Sequence, residues 1–159
     1  MNIGFLGLGK LGLPVSLAVE NKGHKVFGYD ISKQTIEDIK NRKIRYKEEW
    51  VDKYLPTTNL KITDIDSLVK NSEIIFVPIQ TPHDPKYEGV TRIPEKRIDF
   101  DYTYLKSGIK NLSEAIEKNG EDKVVIIIST VLPGTIRSQI KPLLGRYTKL
   151  CYNPFFIAM

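Results

Sequence analysis

Cysteine is nearly absent from this chain: Cys151 is the one thiol among 159 residues. A single thiol cannot build an internal disulfide framework or a cysteine-rich zinc site. A reducing, cytoplasmic setting is the expectation, with Cys151 read as buried core in a strand. Histidine is scarce too. His24 and His83 have no partner at ligand spacing, so no metal is expected. Long apolar runs are missing: segments such as Val124 to Ile128 fall far short of the ~20 residues that span a bilayer. No basic leader precedes the opening apolar run, which argues against a secretory signal. Charge of one sign is not in excess either. Lys and Arg total 24, Asp and Glu 19, for a net charge of +5. The densest basic stretch, Lys40 to Lys47, runs straight into Glu48, Glu49 and Asp52. It reads as a solvated helix face, so neither nucleic acid nor membrane is an expected partner. A modest positive field still suits a phosphate-bearing small ligand.

Aromatics, with 8 Tyr and 6 Phe, argue for an ordered core. The length fits one domain that needs no covalent staple. Strand-like and helix-like segments alternate along it. Asn2–Leu6 and Lys25–Tyr29 predict strands, and Lys10–Asn21 a helix on the stripe Leu11, Val15, Ala18 and Val19, closed near Gly23. Ser32 caps a second helix through Ile36 and Ile39. Residues 43–56 are ambiguous, with a further helix ending before Pro56 as one reading. Asn59–Thr63 predicts a third strand, Asp64 the cap of a helix through Leu68 and Val69, and Glu73–Val77 a fourth strand. Pro78, Pro82, Pro85, Gly89 and Pro94 break the pattern over 78–100, a length of loop that is usually functional or disordered. Asp101 then caps the longest helix, on Tyr102, Leu105, Ile109, Leu112 and Ile116, ended by Gly120. Val124–Ile128 predicts a fifth strand buried on both faces. Pro133 opens a helix through Ile136, Ile140 and Leu144, and Leu150–Tyr152 is a sixth strand. Alternating strands and helices imply parallel strands joined by right-handed crossovers. The expected fold class is therefore α/β: a doubly wound parallel sheet of about six strands with helices on both faces.

The chemistry concentrates at strand ends. Gly7-Leu8-Gly9-Lys10-Leu11-Gly12 matches G-x-G-x-x-G between a predicted strand and a predicted helix, the context that gives the motif meaning. Gly7 permits the tight turn, Gly9 lets backbone approach a pyrophosphate, and Gly12 lets helix pack on strand. The helix start at Lys10 and Leu11 presents unpaired N–H donors to the phosphates. Asp30 ends the second strand at the spacing of an acid that accepts hydrogen bonds from a ribose, and its charge favours NAD over NADP. Lys33 lies beside it and offers a competing phosphate contact. Two later strand ends carry hydroxyls, at Thr81 and at Ser129 and Thr130, where the nicotinamide half of a dinucleotide would lie.

Taken together, Gly4 to Pro14 with Gly28-Tyr29-Asp30, the Thr81-Pro82 turn, Ser129-Thr130-Val131 with Pro133-Gly134-Thr135, and Asn153-Pro154-Phe155-Phe156 resemble the N-terminal NAD-binding domain of the UDP-glucose/GDP-mannose dehydrogenases. The resemblance covers nearly the whole chain. It implies a NAD-dependent oxidoreductase of polysaccharide biosynthesis that oxidises the C6 alcohol of a nucleotide sugar to a carboxylate. The family uses two hydride transfers through a thioester on a cysteine. By position, Gly7, Gly9 and Gly12 would hold the pyrophosphate, Asp30 and Lys33 the ribose, and Thr81 would line the cofactor site. Thr130 would stand near nicotinamide and substrate, ordering a water. A nucleotide-sugar substrate is the implied partner, and a homodimer is left open.

The chain departs from the family at Phe155, where the family carries a glutamate that acts near the substrate, and phenylalanine has no proton to exchange. The segment 83–100 is longer than the family's. The family's cysteine nucleophile falls after position 159, and Cys151 does not match it. Residues 1–159 are thus expected to be one NAD-binding domain without the family's substrate domain, able to bind NAD but not to turn over. Phe155, Phe156, Ile157, Ala158 and Met159 read as mid-protein sequence. Two other readings stay open: a non-catalytic NAD-sensing module and a β-hydroxyacid-type dehydrogenase domain.

Overall fold

In the computed structural model, described for residues 1–88, 90, 92 and 94–154, six strands form one all-parallel sheet. They are β1 (Asn2–Leu6), β2 (Lys25–Tyr29), β3 (Lys61–Ile62), β4 (Ile74–Val77), β5 (Lys123–Ile127) and β6 (Thr148–Tyr152), in the order β3-β2-β1-β4-β5-β6. The helices are α1 (Gly12–Asn21), α2 (Lys33–Lys40), α3 (Glu49–Tyr54), α4 (Ile65–Asn71) and α5 (Thr103–Asn119). The order reverses between β1 and β4, which leaves a crevice beyond their carboxyl ends.

Two cores flank the sheet. On one side Ile3, Phe5 and Val26 pack under Leu13 and Leu17 of α1, Ile39 of α2 and Val51 of α3. On the other, Leu6, Ile75, Val77, Val125 and Ile127 pack under α4 and α5. The predicted stripe of α5 is wholly buried at Leu105, Ile109, Leu112 and Ile116, and Gly120 ends the helix in the left-handed region at φ 74. Ser32 and Asp64 cap α2 and α4 as expected, accepting the N–H groups of Thr35 and Ser67. Asp101, expected to cap α5, stands two residues ahead of it: the cap position is Tyr102, without a side-chain cap bond, and Asp101 accepts the N–H of Thr103 at 2.8 Å.

Several expectations need correction. β3 holds only Lys61 and Ile62, although Thr63 extends its pairing by donating to the Gly28 carbonyl. The expected helix through Ile136, Ile140 and Leu144 is a wide five-residue turn at Ile136–Ile140 and a tight one at Lys141–Leu143. Pro142 explains the break: it lacks the N–H that would continue the helix, and its ring crowds the preceding turn. β5 is not buried on both faces, because Val124 is 37% exposed. Cys151, expected in the core, is exposed for the same reason. The segments following β4 and β5 both pack against the same side of the sheet, with Ile136 and Ile140 joining the α5 core. β6 is the edge strand, and its pairing Ile126↔Cys151 puts the thiol on the face of Val124 and Ile126, at the end of the sheet away from α1, α2 and α3. The expectations concerning Phe155, Phe156, Ile157, Ala158 and Met159 lie outside the described residues.

Candidate functional site

The crevice at the β1/β4 reversal is a cleft of about 810 Å³. Its floor is the first glycine turn. Gly7 has φ +117, a conformation that side-chain-bearing residues avoid, and its N–H donates to the Tyr29 carbonyl at 2.8 Å. A Cβ on Gly9 would meet nothing within 4 Å, so this backbone faces open space in the cleft. A Cβ on Gly12 would lie 2.1 Å from the Gly7 carbonyl oxygen. Gly12 therefore seats α1 on the turn and does not line the cleft, whereas Gly7, Gly9, Lys10 and Leu11 do. No side chain caps the start of α1, and its first turn holds no acidic residue. The helix start is left with unpaired N–H groups and partial positive charge.

Asp30 enters from the end of β2. Its Oδ2 accepts the N–H of Leu8 at 2.7 Å and its Oδ1 that of Ser32 at 2.8 Å. The carboxylate thus ties the glycine turn to the start of α2 while retaining acceptor capacity toward the cleft. Lys33 is exposed and does not line it; Ser32 and Thr35 form that rim. Asp30 is the one acidic residue among the described lining residues.

The opposite end is built from the loops after β4 and β5. Thr81, Ser129 and Thr130 all line the cleft there. The Thr81 hydroxyl donates to the Thr130 carbonyl at 2.6 Å, and the Ser129 hydroxyl donates to the Val77 carbonyl at 3.1 Å. These hydroxyls lash the two strand ends together, while Thr130 is exposed to the cleft.

Sequence reasoning missed one wall. Tyr104, Ser107, Gly108 and Asn111 of α5 line the cleft. Their spacing marks the face opposite the apolar stripe, which in isolation reads as solvated. The available signal is Gly108 in mid-helix: a Cβ there would lie 2.3 Å from Ile79 Cδ1, so the helix approaches the β4 loop closely. Ile31, 83% exposed, and Ile65 add apolar surface at the Asp30 end.

A cradle that a side chain at Gly9 would fill, an uncapped helix start and a carboxylate on the neighbouring strand fit a dinucleotide, and the parallel order places them at its binding crevice. Fold and site define a dinucleotide-binding domain of the kind found in dehydrogenases.

Residues 1–158 match the UDP-glucose/GDP-mannose dehydrogenase family, NAD binding domain, and the chain belongs to this family. It is 32% identical over 157 residues to protein CapL of Staphylococcus aureus, a match covering 98% of this chain and 33% of that protein. It is 31% identical over 139 residues to the UDP-N-acetyl-D-mannosamine dehydrogenase of Pyrococcus horikoshii, covering 85% of this chain and 30% of the relative. Among solved structures, a ternary complex of GDP-mannose dehydrogenase from Pseudomonas aeruginosa superposes with a TM-score of 0.82 at 26% identity, over 99% of this chain and 37% of that one. The chain spans about a third of the length of these relatives. NAD is the cofactor of the family's domain. No helix among the described residues is long and apolar enough to cross a membrane.

Proposed function

We propose that this chain is the NAD-holding part of a nucleotide-sugar 6-dehydrogenase that oxidises a sugar C6 alcohol to a carboxylate in two hydride transfers. The observation that carries the reading is the division of labour in the glycine loop: Gly9 opens to the cleft while Gly12 is closed against Gly7, at the crevice of a family whose relatives are nucleotide-sugar dehydrogenases. When bound, NAD supplies the hydride acceptor. Gly9, Lys10 and Leu11 hold its pyrophosphate through backbone N–H groups, while Gly7, whose N–H is bonded to the Tyr29 carbonyl, shapes the turn and Gly12 keeps it seated. Asp30 accepts from the adenosine ribose and repels a 2′-phosphate. Thr81 and Ser129 fix the β4 and β5 loops under the nicotinamide half. Thr130 faces the reacting carbon and orders a water there. Lys33, off the cleft, adds only positive charge near the ribose rim.

The 159-residue chain binds NAD without turnover in this reading. Its cleft is lined by no cysteine, histidine or glutamate among the described residues, and Cys151 stands on the outer strand. A nucleotide sugar is the partner this reading implies, in a cytoplasmic setting. Calorimetric titration with NAD and NADP tests the cofactor assignment: NAD is expected to bind more tightly, and equal binding, or none, rejects it. Incubation with NAD and UDP-glucose or GDP-mannose tests the second part, and steady NADH production by this chain would contradict it.

A further inference from the structure

The loop after β5 carries Thr130, and its backbone donors are accounted for in an unusual way. Buried or half-buried N–H groups need partners, which in most loops are carbonyls or water. Here two consecutive N–H groups immediately after Thr130 go to phenol oxygens from two different elements. Val131 N–H donates to the Tyr152 hydroxyl at 3.3 Å, and Leu132 N–H donates to the Tyr102 hydroxyl at 3.0 Å. Thr135 adds its own hydroxyl to Tyr102 at 3.3 Å. Tyr152 ends β6, and Tyr102 is the residue before α5. On the near side, the Thr130 carbonyl is held by Thr81.

We propose that Tyr102 and Tyr152 are positioning residues for the nicotinamide half of the cofactor site, clamping the loop so that Thr130 is presented in one place. The proposal rests on the reading that Thr130 lies at that half. Tyr102 is only 4% exposed. Burial, with the Asp99 carboxylate beside it, pushes its pKa above the ordinary tyrosine value. The phenol keeps its proton at neutral pH, and its oxygen accepts the Leu132 N–H and the Thr135 hydroxyl. Asp99 is itself steadied by Gln139, whose Nε2 donates to Oδ2 at 3.4 Å. The loop is thus fixed to the start of α5, to β6 and to the β4 loop at once, while the adenosine half of the cleft, at Asp30, rests on the glycine turn and the start of α2 and shares none of these bonds. A ligand that reaches both halves should feel the clamp; one confined to the adenosine half should not. Preorganisation of this kind raises affinity by removing ordering costs at binding.

The test is calorimetry on the 159-residue chain with two probes, NAD and ADP, for the parent, Tyr102→Phe, Tyr152→Phe and the double variant. Thermal unfolding is followed alongside. The expected result is a roughly three- to tenfold loss of NAD affinity in each single variant, the worth of about one neutral hydrogen bond, with ADP affinity unchanged and a larger loss in the double variant. NAD affinity unchanged in both single variants, or NAD and ADP affinities falling together, would overturn the proposal. Should Tyr102→Phe fail to fold, Tyr152→Phe, on the outer strand, decides alone. A parent that binds ADP and NAD equally well keeps the cofactor reading but overturns the clamp. A parent that binds neither removes both.

Discussion

Gly9 and Gly12 belong to one motif, yet the structure predicts opposite consequences for changing them. In Gly12→Ala the new methyl would sit 2.1 Å from the Gly7 carbonyl oxygen and 2.8 Å from Pro78 Cγ, where ordinary contact begins at 3.4 Å. Gly7 cannot yield easily, since its φ of +117 and the hydrogen bond from its N–H to the Tyr29 carbonyl anchor the residue. The strain must be relieved by lifting α1, which buries Leu13 and Leu17. Overpacking of this type costs about 1–3 kcal/mol, and a backbone neighbour argues for the upper end. Replacing glycine returns about 0.4–1 kcal/mol through the unfolded chain, so a net loss near 2 kcal/mol is expected. With a urea m-value of about 1–3 kcal/mol/M, the midpoint falls by about 1 M. In Gly9→Ala the methyl meets nothing within 4 Å, so stability stays within about 0.5 kcal/mol of the parent. The same methyl occupies the space the pyrophosphate needs, and NAD affinity falls at least tenfold. Urea unfolding followed by circular dichroism, paired with calorimetry, reads both quantities. Equal midpoints for the two variants, or normal NAD binding by Gly9→Ala, would refute the division of roles.

Asp30→Ala should weaken NAD binding and relax discrimination against NADP in calorimetry; because it also frees the N–H groups of Leu8 and Ser32, its urea midpoint should fall as well. Tyr46 has a buried hydroxyl with no hydrogen-bond partner among the described residues, and burial with Glu48 nearby pushes its pKa up to about 12. A raised pKa means the folded state holds the proton more tightly. The contribution is whole below pH 10 and is lost as pH rises from 10 toward 12. Tyr46→Phe should therefore be neutral or stabilising at pH 7 and show a shallower alkaline fall in melting temperature. Cys151 should react with a thiol reagent in the native chain as fast as in urea, and protection in the native state would contradict its exposure.

What was legible in the sequence was local. The glycine turn, the acid ending β2 and the caps at Ser32 and Asp64 depend on residues within one turn of each other, and each stands where its spacing predicts. The stripe of α5 was legible because burial on one face imposes a helical period. What was not legible depends on partners distant in sequence. Tyr104, Ser107 and Asn111 read as solvated until the β4 loop is laid against α5. Cys151 read as core because an apolar pattern does not reveal that its strand is the edge. Val124, central by its neighbours, is left uncovered because two successive crossovers use the same side of the sheet. Pro142 was a local signal, and it broke a helix whose apolar stripe continued past it to Leu144.

The central claim, that this cleft holds NAD across the β1/β4 crevice, is tested most directly by heteronuclear NMR of the labelled chain titrated with NAD. Shifts should concentrate at the amides of Gly9, Lys10 and Leu11, at Ile31 and Ser32, and at Thr130 to Leu132, and the Gly9→Ala chain should lose them. Shifts confined to other surfaces, or none at saturating NAD, would contradict the account.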